Sequence, residues 1–523
     1  MPHRKPIGLV LSFLSSVFAR LSGFATQVIT AWYLTPSEFG LYAIAVGITT
    51  FTMIMRGGGT GIVYQTLRPE EYSTHGGALL RIGIFFGIIG AVFTAGAAMP
   101  ALEYYGQASL SWLLLWMAAL FLVTHLSLYP RAKMASHLRF KEIATIDLIA
   151  AILKLGTAFF CAQAGWGAFT FVFAQLAAVI LQLVATSCYA HFSRTDFSIA
   201  TDWFAPTVRM LQYPLLLSVM ISLMDQIDAF TASFFVPITS LGLYFFAVQL
   251  VIQPTRLITN SIGSVLAPFA ARARGDLKAE NAQIAVAFKT GVVFAPLLVL
   301  SIPAVYPGLQ RVLWGDRWET SVLPVMIAAC LLIYPTIQWV LEGPVIGLRR
   351  WKTYFRLLSW RAGSKVVGVL LAIAAIKVFA LPEHSIALSL VVGVGVVTSV
   401  TSYFQVRRVL NEIKFDRSSM NAELHLAPVY SILAVLGTNG LVTSILQYLV
   451  LANDPSRETA LLNLTLSAVI YGTISIALLR FAYLDKLQLV IALLPLRVRT
   501  VVYKALVLPD WKLDRATSSD TMR

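Results

Sequence analysis

Fourteen long apolar segments, joined by short loops that alternate between rich and poor in Lys and Arg, make up most of this 523-residue chain. They lie near 7–34, 39–66, 76–99, 108–129, 143–164, 166–189, 209–236, 241–270, 284–306, 320–346, 360–380, 385–406, 424–450 and 460–480. Each reaches roughly 20 residues or more, the length that carries a helix across about 30 Å of hydrocarbon. The runs are apolar on all faces and lack the polar alternation of a barrel strand, so they read as helices. The expected fold is an all-α integral membrane protein of about 14 transmembrane helices. A water-soluble alternative needs a polar exterior. With 12% charged residues, against about 25% in ordinary globular domains, the chain cannot supply one.

The net charge of +15 is spread over alternate loops and forms no dense patch around a folded module, which argues against nucleic acid as a partner. It reads instead as a topology signal. With the N-terminus placed in the cytoplasm, 30 of the 40 Lys and Arg fall in cytoplasmic segments, the loop carrying Arg349, Arg350, Lys352, Arg356 and Arg361 among them. Only Arg311, Arg317, Lys377 and Arg457 fall outside, and six lie within spans. That imbalance is the positive-inside rule, and it puts both termini in the cytoplasm. Arg4 and Lys5 precede an apolar run too long for a signal peptide, which reads as an uncleaved first span. The stretch after Arg480 is apolar, broken by Pro495 and Pro509, and carries Arg497, Arg499 and Lys504. It reads as a basic interfacial tail lying against membrane lipids. Cys161, Cys188 and Cys330 have no paired spacing, and the seven His residues form no metal or triad pattern.

An internal repeat supplies the architecture. Gly40 to Val46 reads GLYAIAV and Gly242 to Val248 reads GLYFFAV, each just after an outside loop. Six spans separate the copies, so both enter the membrane in the same direction, as parallel repeats do. The expected organisation is an N-terminal lobe at 1–190, a cytoplasmic linker at 191–208, a second six-helix lobe at 209–406, two further helices within 407–480, and a tail at 481–523.

Charged residues inside spans are the chemistry to explain, since one at a helix centre costs about 2.5–3.5 kcal/mol on insertion scales. Arg20, Arg56, Lys154 and Arg256 are candidates for a cationic, substrate-binding cavity, because Arg forks match phosphate oxygens. Asp225 and Asp228, three apart on one helix, and Asp147 and Glu342 nearer the cytoplasm, are candidates for ion coupling or charge pairing. Arg20 with Asp225 is one such pair. Gln27, Gln65, Gln175, Gln249, Gln253 and Asn260 are candidate glycan contacts; the alternative role for each is a helix-to-helix hydrogen bond. Pro214, Pro254, Pro268 and Pro335 read as kinks that let lobes rock, or as static packing features.

The runs YLTPSEFGLYAIAV, MDQIDAFTASFFVPITSLGLYFFAVQLV and LWGDRWETSVLPVMIAACLLI together resemble the polysaccharide transporter branch of the multidrug, oligosaccharidyl-lipid and polysaccharide flippase superfamily, which includes O-antigen-type lipid-linked oligosaccharide flippases. The matching positions are Pro36, Gly40 and Tyr42; Asp225 or Asp228, Gly242 and Tyr244; and Gly315 and Trp318. Helices 11 to 14 match only in number and hydropathy. The resemblance implies alternating access through a cationic cavity and export of polyprenyl-diphosphate-linked sugar units across a bacterial inner membrane, for exopolysaccharide, capsule or O-antigen.

It implies no cofactor beyond H⁺ or Na⁺ coupling, and polysaccharide polymerase and chain-length proteins as partners. The rival readings are a solute or drug antiporter of the same superfamily, a membrane enzyme acting on polyprenyl phosphates, and a non-transporting scaffold for a biosynthetic complex. The enzyme reading wants a sizeable external loop or domain, whereas the outside loops here have the length of connections.

Overall fold

A computed structural model of the chain describes residues 21–53, 69–137, 139–190, 204–448 and 457–481, together with residues 18, 60, 63 and 192. Among the described residues the regular structure is entirely helical. Helix α1 covers 21–33. It is followed by α2 (Pro36–Met53), α3 (Pro69–Gly96), α4 (Ala98–Tyr105), α5 (Ala108–Ser136), α6 (Phe140–Gln163) and α7 (Phe169–Tyr189). Then come α8 (Phe204–Ser233), α9 (Ile238–Arg272), α10 (Leu277–Trp314), a 3₁₀ turn (Gly315–Ser321), α11 (Val322–Leu331) and α12 (Ile333–Gly347). The chain continues through α13 (Trp351–Val378), α14 (Glu383–Glu412), α15 (Arg417–Tyr448) and α16 (Arg457–Phe481).

Each of the fourteen apolar segments is mainly helical where it is described, and among the described residues ten helical stretches are long and apolar enough to cross a membrane. The outward faces agree. Phe85, Val92 and Phe93 on α3 and Leu370 and Leu371 on α13 are exposed, a surface that water would penalise and lipid does not. This is a multi-pass membrane protein.

Two details differ from the sequence reading. The span expected at 320–346 is not one helix but a 3₁₀ turn and two helices, α11 and α12, meeting at Leu332. Pro335 explains the break, because it has no N–H for the Leu331 carbonyl and its ring crowds that carbonyl. Leu332 closes the gap with a tighter bond to Ala329 O at 3.0 Å. Secondly, Arg361, counted with a cytoplasmic loop, lies within α13 and is buried. Hydropathy cuts a span at a charge, but this guanidinium faces protein.

The described chain divides into two compact units. The first comprises residues up to 257 with 355–401, and the second 258–354 with those from 402 onward. In the first, α5 packs against α3 and α7, α6 against α7, and α2 against α8. In the second, α10 is the central element, in contact with α11, α12, α15 and α16. Trp318 of the Gly315 to Trp318 motif is fully buried there. The motif is fastened by Gln310 Nε2 donating to Gly315 O at 2.7 Å and by the Tyr306–Ser321 hydroxyl pair at 2.7 Å.

Small residues set where helices cross, as they do when apolar attraction between helices is no stronger than attraction to lipid. In the second unit, Gly263 and Ala267 of α9 meet Gly343 and Gly347 of α12, and a Cβ on Gly343 would sit 2.7 Å from Gly263 O. In the first, α2 and α9 cross at the two repeat glycines. A Cβ on Gly40 would collide with the carbonyl of Ile238, four residues before Gly242, and a Cβ on Gly242 with the carbonyl of Pro36, four residues before Gly40. Such reciprocal contact is what a two-fold relation between repeats produces.

Candidate functional site

The first repeat motif begins with local capping. Thr35 and Glu38 form a capping box at the start of α2, with Thr35 N donating to Glu38 Oε2 at 2.7 Å and Glu38 N to Thr35 Oγ1 at 3.4 Å. Pro36 takes the first helical position, where its missing N–H is no loss. This fixes the start of α2, so that Gly40 meets α9 and Tyr42, half a turn on, turns to a cavity.

That cavity, about 250 Å³ in volume, lies within the first unit. Gln27, Gln175, Gln226, Gln249 and Gln253 line it, together with Thr26, Lys154 and the aromatic rings of Phe39, Tyr42, Phe171 and Phe245. Tyr42 stacks on Phe171 with ring centroids 4.3 Å apart. Gln253 Nε2 donates to Gln27 Oε1 at 2.9 Å, and Gln27 Nε2 to Phe246 O at 3.4 Å. Each amide retains further donor or acceptor capacity. Among the described residues Lys154 is the one cationic side chain lining the cavity, and it has no hydrogen-bond or ion-pair partner there.

Beside this space α8 carries the two expected aspartates. Asp225 accepts from Arg256 Nη1 at 2.8 Å, in a pair about one third exposed on each side. Asp228 is buried. Its Oδ1 meets Lys365 Nζ at 3.0 Å and its Oδ2 accepts from Tyr244 OH at 2.5 Å. Lys365 also lies 3.4 Å from the carbonyl oxygen of Asp225. One turn before Lys365, Arg361 reaches Met224 Sδ at 3.1 Å. The face of α13 bearing Arg361 and Lys365 thus answers the face of α8 bearing Met224, Asp225 and Asp228.

The remaining candidates fall elsewhere. Asp147 of α6 is held by both forks of Arg131 from α5, at 2.5 and 2.7 Å, and by Gln182 Nε2 of α7 at 3.1 Å. Three helices are pinned by one carboxylate, which is charge pairing in a structural form. Glu342 is half-buried on α12 in the second unit. Asn260 is exposed on α9, beyond the first unit, and does not line the cavity. Arg20, Arg56 and Gln65 lie outside the described residues. The structure therefore brings together Gln27, Gln175, Gln249, Gln253 and Lys154 around one space, and Asp225, Asp228 and Arg256 beside α8.

Sequence reasoning gave no role to Lys365, Gln226 or the ring of Tyr42. Lys365 had a usable signal: it is a charged residue in an apolar span, four residues after Arg361 and so on the same helical face.

A bundle of helices long and apolar enough to cross a membrane, with paired charges and an amide-lined cavity among them, defines a class, the multi-pass membrane proteins with a polar interior. The fold agrees. It is similar to that of the lipid II flippase MurJ in an inward closed conformation, with a TM-score of 0.64 at 15% identity, covering 90% of this chain and 99% of that one. It is also similar to an inward-facing multidrug resistance MATE family transporter of the MOP superfamily, with a TM-score of 0.53 at 15% identity over 76% and 95% of the two chains. A third similar structure is a MOP superfamily transporter from Pyrococcus furiosus, with a TM-score of 0.52 at 13% identity over 78% and 95%. Residues 29–323 match the polysaccharide biosynthesis protein family, and the chain belongs to that family. No curated protein matches it in sequence.

Proposed function

We propose that the protein translocates a polyprenyl-diphosphate-linked oligosaccharide from the inner to the outer leaflet of a bacterial cytoplasmic membrane, for export of an exopolysaccharide, capsule or O-antigen. The observation that carries this reading is the amide-lined cavity with its unpaired lysine, inside the membrane-spanning region of a polysaccharide biosynthesis family member. A glycan and a diphosphate cannot enter hydrocarbon, because each polar group stripped of water without a partner costs several kcal/mol. Glutamine amides both donate and accept, so they replace water around sugar hydroxyls. The lipid tail needs no such path and stays in the bilayer.

Alternating access by two six-helix lobes is the mechanism this reading adopts, with polymerase and chain-length proteins receiving the product. An antiporter of cationic compounds fits less well, since its cargo would meet an ammonium in the cavity and carboxylates already engaged by Arg256 and Lys365. The test is made on cells lacking the protein, by extracting polyprenyl-linked intermediates and assigning each to a leaflet. Completed units are expected on the cytoplasmic leaflet. Normal intermediates would point to a solute antiporter, and units stranded on the outer leaflet to a polymerising enzyme.

A further inference from the structure

The repeat that brings Gly40 to Gly242 relates two lysines as well. Lys154 lies on α6 and Lys365 on α13, the fifth and eleventh spans, one repeat of six apart. Lys154 and Lys365 are 211 residues apart, each fourteen residues after the first residue of its helix, while the 202-residue offset between Gly40 and Gly242 sets Tyr42 against Tyr244 and Thr26 against Asp228. In the second copy the lysine, the tyrosine and the carboxylate close on one another: Lys365 Nζ is 3.0 Å from Asp228, and Tyr244 OH 2.5 Å from it.

In the first copy the carboxylate is replaced by Thr26, whose hydroxyl donates to Ser22 O at 2.7 Å. Thr26, Tyr42 and Lys154 do not close on one another. They stand around the 250 Å³ cavity. An ammonium in a membrane interior without an anion beside it is costly. The first half thus keeps the cation of the pair and leaves room where its anion would be.

We infer that the cavity beside Lys154 is a subsite for an acidic sugar, in which the carboxylate of a uronic-acid-type residue takes the place that Asp228 fills in the other repeat. The inference rests on the proposed function and names the part of the cargo seated there. Size favours one sugar ring over a chain, since the cavity has room for about eight waters at about 30 Å³ each. The five glutamines supply donors and acceptors for ring hydroxyls, and the Tyr42–Phe171 stack supplies a flat apolar wall. Among the described residues the cavity offers a single ammonium, a point charge suited to one carboxylate, whereas a diphosphate is better met by several cations or an Arg fork.

The test uses the full chain in lipid nanodiscs and calorimetric titration with glucuronate, glucose and pyrophosphate at matched ionic strength. Glucuronate is expected to bind at least tenfold more tightly than glucose. Lys154→Gln should reduce it to the level of glucose, and Lys154→Arg should retain most of the preference. Equal affinity for the two sugars in the wild type, or a preference that survives Lys154→Gln, overturns the inference. Pyrophosphate outcompeting glucuronate in a Lys154-dependent manner also overturns it and assigns the site to the lipid diphosphate. The proposed function fails separately, through the leaflet assay, so Lys154-dependent glucuronate binding in a protein whose loss strands no intermediate would keep the subsite and remove the flippase.

Discussion

Asp225 and Asp228 sit three residues apart on α8, yet their charges meet different surroundings. Asp228 and Lys365 are both nearly inaccessible, and Tyr244 takes the second carboxylate oxygen. Asp225 and Arg256 remain about one third exposed. Removing one partner of a buried pair leaves the other charge uncompensated, at about 3–5 kcal/mol, while exposed pairs contribute about 0–1 kcal/mol. Asp228→Asn should therefore lower the thermal stability of the detergent-solubilised protein far more than Asp225→Asn. The double variant with Lys365→Met should recover part of the loss. Equal losses from the two single variants would contradict this ranking. The two aspartates were legible in the sequence as charges in an apolar span, but their partners were not. Lys365 lies 137 residues from Asp228, and only the packing of α13 on α8 brings the two together.

At the level of helices, the crossing of α2 and α9 is the contact most sensitive to added volume. Gly40 and Gly242 each face a carbonyl of the opposite helix, so an added methyl on either must push the two backbones apart. Overpacking of this kind costs about 1–3 kcal/mol. Gly472 of α16 has open space at the corresponding position, where Ala is the better helix former by about 1 kcal/mol. Gly40→Ala and Gly242→Ala should each reduce the melting temperature and the yield of folded protein in membranes, by similar amounts because the contact is reciprocal. Gly472→Ala should be neutral or stabilising. A strong asymmetry between Gly40→Ala and Gly242→Ala would break the two-fold account of the repeat. The helices themselves could be read from hydropathy, and the repeat from seven residues. The crossing could not, since nothing in a sequence says that two distant glycines touch. The break at Leu332 was within reach, because Pro335 is a local signal, but an unbroken apolar run concealed it.

On the scale of the whole molecule, the distribution of charge and the positions of the turns make one joint statement. The chain leaves its helices through residues of positive φ at Gly106, Gly165, Gly275, Gly315, Arg349, Ala380 and Lys414. The charge count leads one to expect Gly275, Arg349 and Lys414 on the cytoplasmic side and the other four on the outside. Lys and Arg resist translocation, so each loop between them is held to one side by its own composition as well as by its neighbours. Hydropathy thus made the fold class legible, and loop charge supplies an expectation for its orientation. The cavity was legible only as scattered glutamines, because a period of helical turns does not reveal which faces of α1, α6, α7, α8 and α9 converge. The orientation is open to a direct check with truncations fused to alkaline phosphatase, an enzyme active only once exported. Fusions after Gly106, Gly165 and Gly315 should be active, and fusions after Gly275, Arg349 and Lys414 inactive. The inverse pattern would reverse the expected topology and with it the direction of the proposed transport. Activity at Gly275 alone would show that α8 and α9 do not cross as separate spans, which would undo the even spacing of the two repeat copies and the pairing of Lys154 with Lys365 built on it.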